Sequence, residues 1–276
     1  MDVSYPAPVD QLLSLGDPDQ AEGDLGYRTL GISDEHVPVL IEMMRDERLN
    51  WIMQALGEDE TPFWAPVHAW RALGELRAQA AVPAMVAHLA DYPDSEWTTE
   101  DIPEVLARMG ASALGPVGDA LVHAADEGNA DLFGMLAHAL RRMAGEHPPL
   151  RDTIMDVFVE RMAAWERQDP ESNAWVVAAL LDLHATEAPP GMQAAFEAGK
   201  VDESVCGDWE DAQVELGLLE KRITPRPQFR IFGRAFEDIL APPPKPKPMP
   251  IPGSDSAAAK ARTLRKAQKK SKKRRR

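Results

Sequence analysis

Cysteine is almost missing from the chain: Cys206 is the only one in 276 residues. A disulfide framework is thereby excluded, as is any zinc or iron–sulfur site built on several thiolates. Lysine is nearly missing as well, with Lys200 and Lys221 the only two before Lys245. No stretch approaches the roughly 18 uncharged apolar residues that a membrane span needs. The opening residues Met1-Asp2-Val3-Ser4-Tyr5-Pro6 have neither the basic n-region nor the apolar h-region of a secretory signal. These absences point to a soluble, cytoplasmic protein with no membrane partner.

What is present is charge, divided unevenly. The whole chain has a formal net charge of −15. Residues 1–240 hold 17 Lys and Arg against 44 Asp and Glu, a net of −27, whereas residues 241–276 hold 13 against one, a net of +12. Apolar residues make up 44% of the chain, enough for a sizeable core, so generic disorder is excluded for most of it.

Catalytic templates fail one by one. There is no G-x-S-x-G elbow, no G-x-x-x-x-G-K-[ST] phosphate loop and no G-x-G-x-x-G turn. Cys206 lies among acids that disfavour its thiolate, and it reads as a small buried hydrophobe. The histidines (36, 68, 88, 123, 138, 147, 184) never fall three or four apart, so no helix presents a metal-binding pair. His68 reads as a hydrogen bond between repeats. Asp101 reads as a residue near a helix start, where the dipole favours negative charge. The reading is of no enzyme, no cofactor and no metal.

A repeat runs through the middle. Shifting by 33 residues carries Leu73, Leu76 and Pro83 onto Leu106, Met109 and Pro116. A further 34 reaches Leu140 and Met143, and another 40 reaches Leu180 and Leu183. Within a unit the period is helical: Val67, Trp70, Leu73 and Leu76 share one face, and Val82, Met85, Val86 and Leu89 share another. Pro83, Pro116 and Pro190 mark the start of each second helix, where proline is tolerated. Such a period with two helices per unit suits stacked helix pairs. Almost no strand is expected.

The run Trp64-Ala65-Pro66-Val67-His68-Ala69-Trp70-Arg71-Ala72-Leu73-Gly74-Glu75-Leu76, followed by Ala80-Ala81-Val82-Pro83, resembles a HEAT repeat. It is similar to the short bacterial type also found in phycobilisome (PBS) lyase subunits. Val201–Ser204 through Gly207–Asp211 resembles the closing helix of an uncharacterised bacterial HEAT-repeat group. The resemblance covers about residues 33–220. It implies an all-α, right-handed, armadillo-like α-solenoid of about four to five antiparallel helix pairs that binds other proteins. The lyase label is an analogy of fold alone. Some proteins of similar build end in a cysteine-rich zinc knuckle, which this chain lacks.

The expected organisation follows. Residues 1–32 are a lead-in with one short helix around Val9–Leu13. Residues 33–220 are the repeat array. Residues 221–241 pack on the array and end in a short helix at Ala235–Leu240. Residues 242–276 are a proline-rich linker and a disordered basic tail. The candidate protein-binding residues are Trp51 and Trp64, which flank a loop, and the acids Asp208, Glu210, Asp211 and Glu215. Those acids surround an apolar stripe of Val205, Trp209, Ala212 and Leu216 on one helix, and no Lys or Arg stands three or four residues after the first three. They therefore read as a patch awaiting a basic ligand.

The tail packs 11 basic residues into the 17 from Lys260 to Arg276. Its candidate polyanion-binding residues are Lys266, Lys269, Lys270, Lys272, Lys273, Arg274, Arg275 and Arg276. RNA or DNA phosphates, the chain's own acidic body and, in a eukaryotic source, a nuclear address are the competing uses. The favoured reading is a non-enzymatic protein-binding scaffold. The alternative is a nucleic-acid or ribosome-associated factor acting through the tail, and the third is a lyase-like or chromophore-handling enzyme.

Overall fold

A computed structural model describes residues 3–19, 26–49, 61–185 and 191–226, and the backbone of 230–231 and 234–235. The chain divides into two units, Met1–Arg226 and Pro227–Arg276. The first is all helical among its described residues. It contains α1 (Val37–Met44), α2 (Ala65–Glu75), α3 (Val82–Asp91), α4 (Glu96–Met109), α5 (Ala111–Glu127) and α6 (Ala130–Glu146). Then come α7 (Arg151–Ala163), α8 (Pro170–Asp182), α9 (Met192–Glu197), α10 (Glu203–Cys206) and α11 (Trp209–Glu215). In the second unit β1 (Arg230–Ile231) pairs antiparallel with β2 (Arg234–Ala235). Ala235 therefore lies in a strand, not in the expected helix, and pairs with Arg230. Residues 236–240, the rest of that helix, lie outside the described residues.

The helices are punctuated by their own sequence. Ser95 caps α4 by accepting the Thr98 N–H, Asn129 caps α6 by accepting that of Leu132, and Asp169 caps α8 by accepting that of Ser172. Pro38, Pro66 and Pro83 sit in first turns, where the missing N–H has no intrahelical partner to lose. Pro116 does not mark a start. It lies inside α5, which begins earlier because Gly110, at φ 63°, breaks the chain from α4 and the Ala111–Gly115 run then folds as helix. Pro190 is outside the described residues.

The sequence offsets of 33, 34 and 40 are those of the packing. Leu73, Leu106, Leu140 and Leu180 are all fully buried, one in each of α2, α4, α6 and α8. Four residues after three of these leucines the backbone takes a positive φ: Arg77 (φ 53°), Gly110 (φ 63°) and His184 (φ 50°). Equal phase of core and turn means equal helix placement. Accordingly α1 packs on α2, α3 on α4, α5 on α6 and α7 on α8. The even-numbered helices α2, α4, α6 and α8 each also contact the next of their set, and α3, α5 and α7 do likewise. One core runs unbroken from Val9 to Ala212. Where α2 meets α4 the approach is close: a Cβ on Gly74 would stand 2.5 Å from Val105 Cγ1.

Candidate functional site

Each even-numbered helix leaves one stripe at the surface, and the stripes share a register. On α2 it is Trp64 (the residue before the helix), His68, Arg71 and Glu75. The offset of 33 carries these onto Trp97, Asp101, Glu104 and Arg108 of α4. The offset of 34 then reaches Asp131, Met135, His138 and Arg142 of α6, and 40 more reaches Glu171, Trp175, Ala178 and Asp182 of α8. The spacing of four, three and four keeps each set on one helical face. Most of these side chains are exposed or half-buried; His68 is wholly buried.

Polar contacts tie stripe to stripe. The Arg71 guanidinium donates to both carboxylate oxygens of Asp101, from Nε at 2.9 Å and Nη2 at 3.0 Å, and Trp70 Nε1 donates to the same carboxylate. Asp101 is thus a mid-helix bridge between α2 and α4, not a residue at a helix start. Arg142 donates to Glu104 at 2.9 Å, with His138 Nε2 3.3 Å from the same carboxylate. Arg141 pairs with Asp182 across α6 and α8. Trp64 and Trp97 meet edge to face at 4.9 Å, and Arg71 lies over the Trp97 ring at 5.8 Å.

The lead-in covers the stripe of α2. The His68 Nε2–H donates to the Gly16 carbonyl at 2.8 Å, which leaves Nδ1 to accept from the Tyr27 hydroxyl at 2.9 Å. Glu75 accepts the backbone N–H of Tyr27 at 2.7 Å and of Arg28 at 3.0 Å, and Asp19 takes Arg71 at 3.3 Å. His68 therefore fixes the lead-in and not a neighbouring repeat, as the spacing had suggested. Burial holds its pKa below the ordinary value, and burial takes that of His88 down to about 4. The neutral form of both is stabilised by folding, so their contribution is complete above the unfolded value near 6.5 and is lost as the pH falls below it, for His88 down to about 4. Urea midpoints are expected to drop over that interval, and His88→Phe should flatten part of the drop.

Beside Arg71 lies a groove of about 340 Å³ lined by Asp19, Arg71, Glu96, Trp97, Glu100, Asp101 and Glu104. Five carboxylates face one guanidinium. A second cavity, against Met44, Phe63, Trp70, His88 and Tyr92, offers only about 30 Å³, room for about two water-sized groups.

The expected acidic patch is built differently. Gly207 (φ 81°) and the Asp208 cap, which accepts the Asp211 N–H at 2.8 Å, break the presumed single helix into α10 and α11. Asp208, Glu210 and Asp211 do converge, but on the chain's own Arg222. Its guanidinium holds Asp208 bidentately at 2.6 and 2.7 Å, Asp211 at 2.7 Å and Glu210 at 3.2 Å. Glu210 also accepts the N–H groups of Ile223 and Thr224. Hydrogen bonding to Arg222 takes Asp208 down to about 2. These three carboxylates are occupied rather than awaiting a ligand, because the cation comes from eleven or more residues on, beyond the reach of an intrahelical pattern. Glu215 is exposed.

Trp64 is half-buried against Trp97, while Trp51 and all of the tail residues from Lys266 to Arg276 lie outside the described residues. Cys206 is half-buried, and burial pushes its thiol up to about 12. No grouping that could hold a metal ion occurs among the described residues. No described helix is long and apolar enough to cross a membrane. No family model, curated protein or solved structure matches the chain.

Proposed function

We propose that the chain is a HEAT-like α-solenoid acting as a non-enzymatic, cytoplasmic scaffold, whose even-numbered helices present the surface that binds another protein. One observation carries this reading: the offsets that align the buried leucines also align the outward stripes, and the stripe of α2 already holds a peptide segment, the chain's own lead-in. A layered row of helix pairs exposes one continuous surface of equivalent positions, which is how repeat arrays bind extended partners. The stripes of α4 and α6 have no such segment over them among the described residues. A photo-crosslinking side chain at position 100 should therefore capture a protein. The second reading, nucleic-acid binding through the tail, is favoured by the 11 basic residues between Lys260 and Arg276. Nuclease treatment separates the two, since a partner held by the helical face survives it. A lyase-like activity has only the repeat resemblance behind it, and an absorption spectrum of the purified chain tests for a bound chromophore.

A further inference from the structure

We propose that the groove between the α2 and α4 stripes is a recognition site for a cationic peptide, with a lysine or arginine side chain laid along Trp97 and its charged head among Glu96, Glu100 and Glu104. This rests on the scaffold reading and specifies the partner's chemistry.

Two independent observations meet here. The first is an occupied precedent on the adjoining stripe. Along α2 the lead-in is held by a carboxylate taking backbone N–H groups (Glu75 from Tyr27 and Arg28), by a ring that donates to a carbonyl and accepts from a hydroxyl (His68), and by a charge pair (Arg71 with Asp19). A peptide seated on a stripe is thus part of this structure. Asp19 lines the groove as well, so the groove continues directly from that contact.

The second is the chemistry of the wall. The Trp97 indole carries the Arg71 guanidinium at 5.8 Å, so a cation beside this ring already occurs in the structure. Arg71 and its two acids, Asp101 and Asp19, account for one another. Glu104 is shared with Arg142 and His138 from α6. Glu96 and Glu100 remain, both exposed at the rim. Unlike the Asp208 cluster, where Arg222 fills the space between three acids, the Glu96 and Glu100 carboxylates have no cation paired with them among the described residues. At about 340 Å³ the groove is large enough for a long basic side chain, whose methylene stem covers the indole while its head stays near water. An acidic or neutral peptide would leave the same carboxylates uncompensated.

The test uses the full chain and a fluorescein-labelled peptide with four lysines spaced by alanine and glycine, at near-physiological salt. Glutamate-for-lysine and glutamine-for-lysine versions are run alongside. The proposal expects saturable binding of the lysine peptide alone. The paired change Glu96→Lys and Glu100→Lys should weaken it at least about tenfold, and Trp97→Ala about fivefold. The paired change Asp119→Lys and Glu160→Lys, on α5 and α7, alters net charge equally and should shift binding less than about twofold. Circular dichroism confirms that each variant is folded, and Trp97→Phe should keep more affinity than Trp97→Ala. Equal weakening by both charge reversals would overturn the proposal, since the peptide would then be answering to overall charge. So would absence of binding, or equal binding of the three peptides. If the peptide fails while position 100 still captures a protein, the cationic specificity is wrong and the scaffold stands.

Discussion

Alanine in place of Phe133 is expected to lower stability by about 3–5 kcal/mol, the usual range for emptying a buried aromatic site. The measurement is the denaturant midpoint, with the slope checked for constancy. Phe133 is fully buried and belongs to α6, the helix that touches α3, α4, α5, α7 and α8. The helix that carries it is thus packed on several sides. Collapse to fill a cavity there would have to move several helices at once, so the cost should lie toward the upper end of the range. Val122, which is exposed on α5, is the natural control, and Val122→Ala should stay within about 0.5 kcal/mol.

The second large effect is expected at Gly74, and here two terms oppose each other. Alanine improves helix propensity over glycine by about 0.8–1.0 kcal/mol. Against this, the added Cβ would stand 2.5 Å from Val105 Cγ1. Val105 is buried on α4 and β-branched, so one χ1 rotamer dominates and the methyl cannot swing away cheaply. Forcing α2 and α4 apart should cost about 1–3 kcal/mol and usually more than the propensity gain. Gly74→Ala is therefore expected to be destabilising. Combined with Val105→Ala it should cost less than the sum of the two single changes, by about 0.5–3 kcal/mol in a double-mutant cycle. Additivity would mean that the close approach does not set the helix spacing.

Legibility in the sequence followed separation along the chain. The repeat could be read because burial imposes a helical period, and the same offsets recur wherever the same contact recurs. Leu73, Leu106, Leu140 and Leu180 were found this way, and all are fully buried. The stripe residues lie at the same offsets, so they were readable as well, once the leucine register was applied to polar positions. Contacts that join distant segments left no pattern. His68 meets Gly16 over 52 residues and Asp101 meets Arg71 over 30, and nothing local marks either pair. Arg222 reaches Asp208 from 14 residues away, outside any helical spacing. The break between α10 and α11 did have a local signal, glycine followed by a capping aspartate at Gly207-Asp208, but the apolar stripe that continues through it pointed the other way. Trp64 was chosen as a binding candidate because it flanks a loop; it is half-buried, and its contact with Trp97, 33 residues on, had no local signal.

The most direct test of the proposed scaffold is photo-crosslinking from single positions of the full chain in its native cells. A benzoylphenylalanine at position 100, on the rim of the α2–α4 groove, is compared with one at position 119, on the exposed side of α5. The scaffold reading predicts a discrete protein adduct from position 100, unaffected by nuclease, and none of comparable yield from position 119. Adducts only from position 119, or none from position 100 under conditions where the protein is abundant and folded, would contradict it.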